Sequence, residues 1–405
     1  MIDPIAIRKD FPQYVDQNFG AYLDSSATSL TPRVVIEAMT EYYSHFRANV
    51  HRGTFKESMT ASRKYDDVRV RLAGLLGVSP DQIIFTNGAT DASNRLVRML
   101  EHSEDIKWGD KIVSTVMEHH ASLVPLQQLV KRTGATLELV PIKDGMLDLE
   151  VAVSMITSDV RIVSAVLASN VTGELNDVRK LADLAHLHAA IMVVDATAAM
   201  GHIPVLFSRL GADAMYFSAH KMFGPTGVGA LVLSQRLVDS LQPAVWGGGM
   251  IAHVSEKDAT WAPAPEKFEP GTPNISGVIG WGAGLEYLEQ FDLSEIHDYL
   301  GKLTVDATQL LESIPGVRVV SQHDEKRNIG IVTFVVDGIH THDIAEILSR
   351  DRVAVRPGHH CAEPLHHALG VVGTTRASFH IYNTHSDIEQ LCESLKKAIA
   401  VFSPK

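Results

Sequence analysis

The 405-residue sequence contains only two cysteines, Cys361 and Cys392. A disulfide-dense scaffold is therefore excluded, and the pair fits a reducing compartment. No apolar run approaches the ~20 residues that a spanning helix requires, so no membrane partner is expected. No Lys/Arg run offers a stripe for phosphates, and the formal net charge is -12. That balance argues against nucleic acid or an anionic membrane surface as a partner. The first ten residues carry Asp3, Arg8, Lys9 and Asp10 and lack the apolar centre of a secretory leader, so the cytoplasm is the expected location. Internal repeats and low-complexity tracts are also missing. What remains is a 45% hydrophobic chain, long enough for one large domain with a smaller one, or for two of equal size.

The pattern along the chain predicts an α/β fold. Residues 1–20 read as an irregular arm with a short helix. Ala21 to Asp24 reads as a strand, and a helix is expected from Pro32 to about Phe46 with Thr31 as its cap. A charged amphipathic helix over 57–77 follows. From Gln82 onward, short continuous apolar runs alternate with helical segments: 83–86, 111–115, 136–140, 161–166, 191–195, 214–217 and 229–233. Such runs predict a mostly parallel sheet covered on both faces. Residues 243–275, rich in Gly and Pro and holding Trp246 and Trp261, read as a long loop. Residues 276–312 read as one helix or two broken near Phe291-Asp292-Leu293. Beyond Val317 the pattern is that of a smaller α+β domain, with strands at 329–335, 353–356 and 376–381 and helices at 341–349 and 386–401. The expected division is an arm (1–20), a large domain (21–275), and a connecting helix with a small domain (276–405).

Polar residues stand just beyond the carboxyl ends of the predicted strands: Thr90, His119, Asn170, Asp195, Ser218, His220 and Lys221. Open α/β sheets bind ligands along that edge. Lys221 sits between the apolar run 214–217 and the turn Gly224-Pro225-Thr226-Gly227. A desolvated lysine amine has a lowered pKa and can form a Schiff base with an aldehyde cofactor; the other reading is a surface lysine. Asp195, ending Ile191-Met192-Val193-Val194, would be a costly buried charge without a partner. It suits a protonated pyridine nitrogen, or equally the capping of the segment that follows. Gly88-Ala89-Thr90 is a strand-to-helix turn that can cradle phosphate or merely start a helix. His119 can stack on a flat ring or shuttle protons, or simply belong to its loop. Cys361 lies in Arg356-Pro357-Gly358-His359-His360-Cys361-Ala362-Glu363-Pro364, where neighbouring Arg and His suit a nucleophilic thiol. Zinc is the competing reading, from His359, His360, Cys361, His366 and His367, but the spacing matches no common zinc pattern and no metal is expected. Cys392 reads as a packed thiol.

Several longer stretches then match one family together: Tyr22-Leu23-Asp24-Ser25, Ala48-Asn49-Val50-His51-Arg52-Gly53, Glu118-His119-His120-Ala121, Ser169-Asn170-Val171-Thr172-Gly173, Ser218-Ala219-His220-Lys221, Phe268-Glu269-Pro270-Gly271-Thr272-Pro273-Asn274, Arg356 to Ala362, and Thr375 to Thr384. Over nearly its whole length the sequence resembles the pyridoxal-phosphate enzymes of the class V aminotransferase group, and most closely the group-II, SufS-like cysteine desulfurases. The resemblance implies the fold type I transferase architecture, pyridoxal 5'-phosphate as cofactor, and conversion of L-cysteine to L-alanine. The resemblance leaves L-selenocysteine open as an alternative substrate. It implies Lys221 as the covalent anchor, Asp195 on the pyridine nitrogen and His119 over the ring. It places Ala89, Thr90, Ser218 and His220 at the phosphate, with Asn170 beside the cofactor and Thr272 reaching the partner subunit's site. Arg376, Asn170 and Arg356 are implied at the substrate carboxylate, with His51 and Arg52 in the region shared by two subunits. Cys361 is implied as the sulfur acceptor that becomes a persulfide. The family is homodimeric and commonly passes sulfur to a small acceptor protein for iron–sulfur cluster assembly.

Two departures stand out. The family's Gly-Ala-Gln-Ala after the aspartate is Ala196-Thr197-Ala198-Ala199 here, so the glutamine that meets the phenolic oxygen of the cofactor is Ala198. The family's Gly-Gly-Gly-Glu-Met-Ile is Gly247-Gly248-Gly249-Met250-Ile251, one glutamate short. Ser122 also stands where asparagine is common. These changes keep open a related pyridoxal-phosphate enzyme of another specificity, or a weakly active cofactor-binding assembly partner.

Overall fold

The computed structural model describes residues 2–17, 19–103 and 106–402. Met1, Asn18, Glu104, Asp105 and residues 403–405, which fall in the expected arm and domains, lie outside the described residues. Seven strands form the main sheet: β1 Ile83–Thr86, β2 Lys111–Thr115, β3 Thr136–Val140, β4 Val160–Val166, β5 Ile191–Asp195, β6 Ala214–Ser218 and β7 Gly229–Leu233. Their order is β1-β7-β6-β5-β4-β2-β3. All pairs are parallel except those of β7, which runs antiparallel to β1 and β6. The expected mostly parallel sheet is therefore present.

Strands β1, β5, β6 and β7 are buried along their whole length, and the alternation of side chains onto two covered faces shows why those runs are almost entirely apolar. Ile191 and Val193 with Tyr216, Leu231 and Ile162 pack on one face under helices α1 Ala89–Ser103 and α2 His120–Thr133. Met192, Val194, Phe217, Val232 and Val163 pack on the other. There they meet the helices Lys56–Leu76, Val178–Leu187 and Ile275–Leu288. The last of these is buried on nearly every side. A Cβ on its Gly280 would lie 2.6 Å from Met39 Cγ, so glycine is what lets it approach the helix Arg33–His45.

A second, four-stranded antiparallel sheet consists of β8 Val317–Val319, β9 Ile331–Val336, β10 Arg356–Gly358 and β11 Thr374–Ser378, in the order β8-β9-β11-β10. The core runs without interruption from the large sheet into it, through Ile331, Phe334, Ala377 and Phe379. Ala21–Tyr22 pairs in parallel with Val353–Ala354, which joins the beginning of the chain to this second region. No helix among the described residues is long and apolar enough to cross a membrane.

Several local expectations need correction. Residues 4–17 are mostly helical, because Asp3 caps Pro4–Ile7 and Pro12 opens Pro12–Gln17. The helix after Pro32 starts at Arg33, so Pro32 occupies the cap position and Thr31 lies one residue too far out to cap it. The helix after the Gly88 turn begins at once at Ala89, with Asp91 Oδ2 accepting from the Asn87 amide at 2.9 Å. The 243–275 loop contains a hairpin, Ile251–Val254 with Ala259–Trp261. The strand expected over 353–356 is two short strands, because Ala354 pairs with the start of the chain and Arg356 with Arg376. The two-helix reading of 276–312 holds: Asp292 caps Leu293–Glu312 through the Ser294 amide.

Candidate active site

A cavity of about 440 Å³ opens where the carboxyl ends of β4, β5 and β6 meet the second sheet. Lys221 and Asp195 lie within it, Ala89, Thr90, Ser218 and His220 line one end, and Asn170, Arg356, His360, Cys361 and Arg376 line the side toward the second sheet. The predicted residues, scattered over nearly 290 positions, are thus brought together, apart from three described below.

The end formed by α1 has the geometry of an anion site. Gly88, at φ 132°, turns the chain from β1 into the helix, whose first amides have no intrahelical partner. Antiparallel β7 begins beside it at Gly229, where a Cβ would stand 2.6 Å from Gly88 Cα. Ser218 Oγ accepts from the Ala89 amide at 2.8 Å. His220 lies alongside; burial and the Lys221 charge push its pKa down to about 4, so it is a neutral ring near neutral pH. Its Nδ1 is buried without a partner.

Lys221 follows β6 in a short 3-10 turn and is buried. Burial, followed by the Arg376 guanidinium, lowers its pKa to about 8, against the pull of Asp195 and Asp24. The surface-lysine reading is therefore excluded. Asp195 performs the capping task considered for it and also borders the cavity. Its Oδ1 accepts from the Thr197 amide at 2.9 Å, a turn-capping bond, while Oδ2 accepts from Ser122 Oγ at 2.7 Å. His119 is likewise double in role: it caps α2, its Nδ1 accepting from the Ala121 amide at 3.0 Å, and it lines the cavity. That bond leaves the proton on Nε2. Burial and Lys221 push the His119 pKa down to about 4.

Arg356 and Arg376 are directly opposite on β10 and β11. Two like charges in that register repel unless an anion lies between them. Asp24 supplies it, receiving Arg356 Nη2 at 2.7 Å and Arg376 Nη2 at 3.4 Å. Arg376 is 2% exposed and also donates to the Asn170 carbonyl at 2.7 Å. Burial lowers its pKa to about 10, with Asp24 opposing. Asp24 was not among the predicted site residues, although it ends an apolar run just as Asp195 does, and the same argument would have found it.

Cys361 is exposed at the rim. It and His360 both adopt left-handed backbone, φ 56° and 51°. Such a conformation is unfavourable for side-chain-bearing residues and must be held in place. Asn170 Nδ2 donates to the His360 carbonyl at 2.8 Å, and the His120 amide to the Cys361 carbonyl at 2.7 Å. The Nε2 atoms of His360 and His366 share Thr374 Oγ1 at 2.8 and 3.0 Å. No cluster of three or more metal-ligating residues occurs among the described residues. Cys392 is buried, and burial pushes its pKa up to about 11.

Three predicted residues lie outside the cavity of their own chain. His51 and Arg52 are exposed, His51 Nε2 pairing with Asp66 Oδ1 at 3.2 Å. Thr272 lines a separate cleft with Tyr65, Asn87 and Glu269, and Asn49 Nδ2 reaches its hydroxyl at 3.5 Å. Of the departures, Ala198 lines the cavity beside Thr197, whose Oγ1 is buried and unpartnered. Met250 is fully buried, its sulfur accepting from the Gly247 amide at 3.3 Å.

Comparison with known proteins agrees with this architecture. The sequence profile described as "Aminotransferase class-V" matches residues 21–391. A protein of Halalkalibacterium halodurans named "Probable cysteine desulfurase" is 41% identical over 401 residues, covering 98% of each chain. One of the same name from Halobacterium salinarum is 40% identical over 409 residues, covering 100% of this chain and 98% of the other. Among solved structures, an apo cysteine desulfurase of Thermococcus onnurineus superposes with a TM-score of 0.93 at 38% identity over 99% of each chain. The Escherichia coli cysteine desulfurase CsdA gives 0.92 at 34% identity over all of both chains. The large mixed sheet with its smaller companion is the fold type I transferase architecture.

Proposed function

Since the chain belongs to the class-V aminotransferase family, we propose that it is a cysteine desulfurase that anchors pyridoxal 5'-phosphate on Lys221 and carries sulfur from L-cysteine on Cys361. The observation that supports this most directly is one cavity with a buried, low-pKa amine on its floor and an exposed thiol at its rim.

The lining suits such a cofactor. Thr197 Oγ1, His220 Nδ1, Asn170 Oδ1, His360 Nδ1 and Arg376 Nε are buried and lack partners within the protein. Buried polar atoms are nearly always paired, so a polar ligand is what would complete them. In this reading Asp195 meets the ring nitrogen, His119 covers the ring, and the start of α1 with Thr90, Ser218 and His220 holds the phosphate. When bound, the cofactor supplies an electron sink for the substrate α-carbon.

The residues of the chain then have defined tasks. Arg376 offers a guanidinium to the substrate carboxylate, with Asn170 beside it and Arg356 at the mouth. Lys221, partly neutral near pH 8, accepts the α-proton and returns it. The Cys361 thiolate attacks the substrate sulfur. A sulfur–sulfur bond forms as the carbon–sulfur bond breaks, its electron pair remains on carbon, and protonation there gives alanine. An external thiol next removes the outer sulfur by exchange. A homodimer fits the exposed grouping of His51, Arg52 and Thr272, which a partner subunit would use, and a small sulfur-acceptor protein in the cytoplasm completes the scheme.

The test is a single turnover with L-cysteine, following the visible spectrum, alanine, and the mass of the peptide carrying Cys361. The expected result is alanine together with one added sulfur on Cys361, both lost in Cys361→Ser while the cofactor band persists. Undiminished alanine formation in that variant would refute the assignment of the thiol.

A further inference from the structure

Asp195 and Tyr216 are register partners on β5 and β6, so their side chains leave the same face of the sheet. Helix α2 lies over that face and brings Ser122 between them. Ser122 Oγ donates to Asp195 Oδ2 at 2.7 Å, and the Tyr216 hydroxyl donates to Ser122 Oγ at 2.8 Å. None of the three residues is more than 3% exposed.

A hydroxyl carries a single hydrogen. Ser122 gives its hydrogen to Asp195 and can therefore only accept from Tyr216, which gives its own to Ser122. Every bond in the chain points toward the carboxylate, and bonds aligned this way strengthen one another in a dry interior. The Thr197 amide holds the other oxygen. The carboxylate cannot rotate without losing a partner, and it borders the cavity. The neighbouring acid, Glu118, takes the Thr115 hydroxyl and the Val166 amide on Oε1. Burial pushes its pKa up to about 8, so near neutral pH it adds no second negative charge.

We propose that Ser122 and Tyr216 are positioning residues, a directed pair of hydroxyls that fixes the plane of Asp195 and its hydrogen bond to a protonated ring nitrogen in the cavity. This rests on the cofactor reading above. Packing alone does not require the Tyr216 oxygen, since phenylalanine fills the same space.

The test uses the cofactor-loaded protein with pyridoxal phosphate labelled with ¹⁵N at the ring nitrogen, comparing the parent with Tyr216→Phe and Ser122→Ala. The nitrogen chemical shift and the rate of cofactor loss on dilution are read. Both variants are expected to move the shift toward that of unprotonated pyridine and to lose cofactor about tenfold faster, Ser122→Ala the more so because it removes the direct bond. Should Tyr216→Phe fail to fold, Ser122→Ala decides alone. Shifts and rates equal to the parent's overturn the relay and leave the cofactor reading intact. A parent protein that binds no labelled cofactor on Lys221 overturns both.

Discussion

Replacing Lys221 by methionine should stabilise the cofactor-free protein at neutral pH, and the advantage should vanish in alkali. The reasoning starts from the amine, whose pKa falls from the ordinary 10.5 to about 8 chiefly through burial. Below pH 8 both folded and unfolded chains carry the proton, and the folded state bears the full penalty of a buried charge. Between pH 8 and 10.5 the unfolded chain binds more protons than the folded one, so stability rises with pH through that window. At about 1.4 kcal/mol per pH unit, the interval amounts to about 3 kcal/mol. Methionine has similar length and no charge, so any packing difference is a constant offset and only the pH-dependent part counts. Urea denaturation of both proteins, stripped of cofactor with hydroxylamine, at intervals from pH 7 to 10.5 measures that part. The gap should change by about 3 kcal/mol in favour of the parent as pH rises. A gap constant across the window would mean that Lys221 is not desolvated, and its proposed role would lose its physical basis.

Two further substitutions probe the side of the cavity facing the second sheet. Arg376→Lys removes a fork that donates to the Asn170 carbonyl while facing Asp24; a single ammonium cannot span both and also meet a carboxylate, so KM for L-cysteine should rise roughly tenfold or more with cofactor affinity unchanged. An unaltered KM would remove Arg376 from substrate binding. Thr374→Val keeps the shape but leaves His360 Nε2 and His366 Nε2 without partners. It should cost about 2–4 kcal/mol in urea denaturation and speed alkylation of Cys361, and an unchanged midpoint would show that the shared hydroxyl matters little.

The large sheet was legible because strands buried on both faces must be largely apolar, as its central strands are, whereas the edge strand Thr136–Val140 carries Thr136 and Glu138 and buries only Val140. Lys221 and Asp195 were legible because a charge at the end of such a run demands an explanation. Asp24 offers the same signal on a shorter run and was passed over. Other features were hidden for physical reasons. The pairing of Ala21–Tyr22 with Val353–Ala354 joins segments more than 300 residues apart, and two-residue strands carry no periodicity. The hairpin inside 243–275 is only partly buried, so it lacks the apolar alternation that betrays a strand. Tyr216 reads as one more aromatic in a core strand, and only the register with Asp195 reveals where its hydroxyl goes. The place of His51, Arg52 and Thr272 outside the cavity follows from tertiary packing that one stretch of sequence cannot express.

The left-handed turn at His360 and Cys361 has a consequence for how the protein can be divided. Its carbonyls are held by Asn170 and by the amide of His120, groups that belong to the large sheet, while its own strands belong to the small one. Asp24, from near the beginning of the chain, clasps both arginines of that same small sheet. The thiol is therefore stitched to the lysine's half of the molecule by backbone it does not share. Expressed separately, the C-terminal region would keep the cysteine and lose the turn that presents it. Inheritance of the thiol as a portable module is closed to this fold; the residue and its setting can only be passed on together.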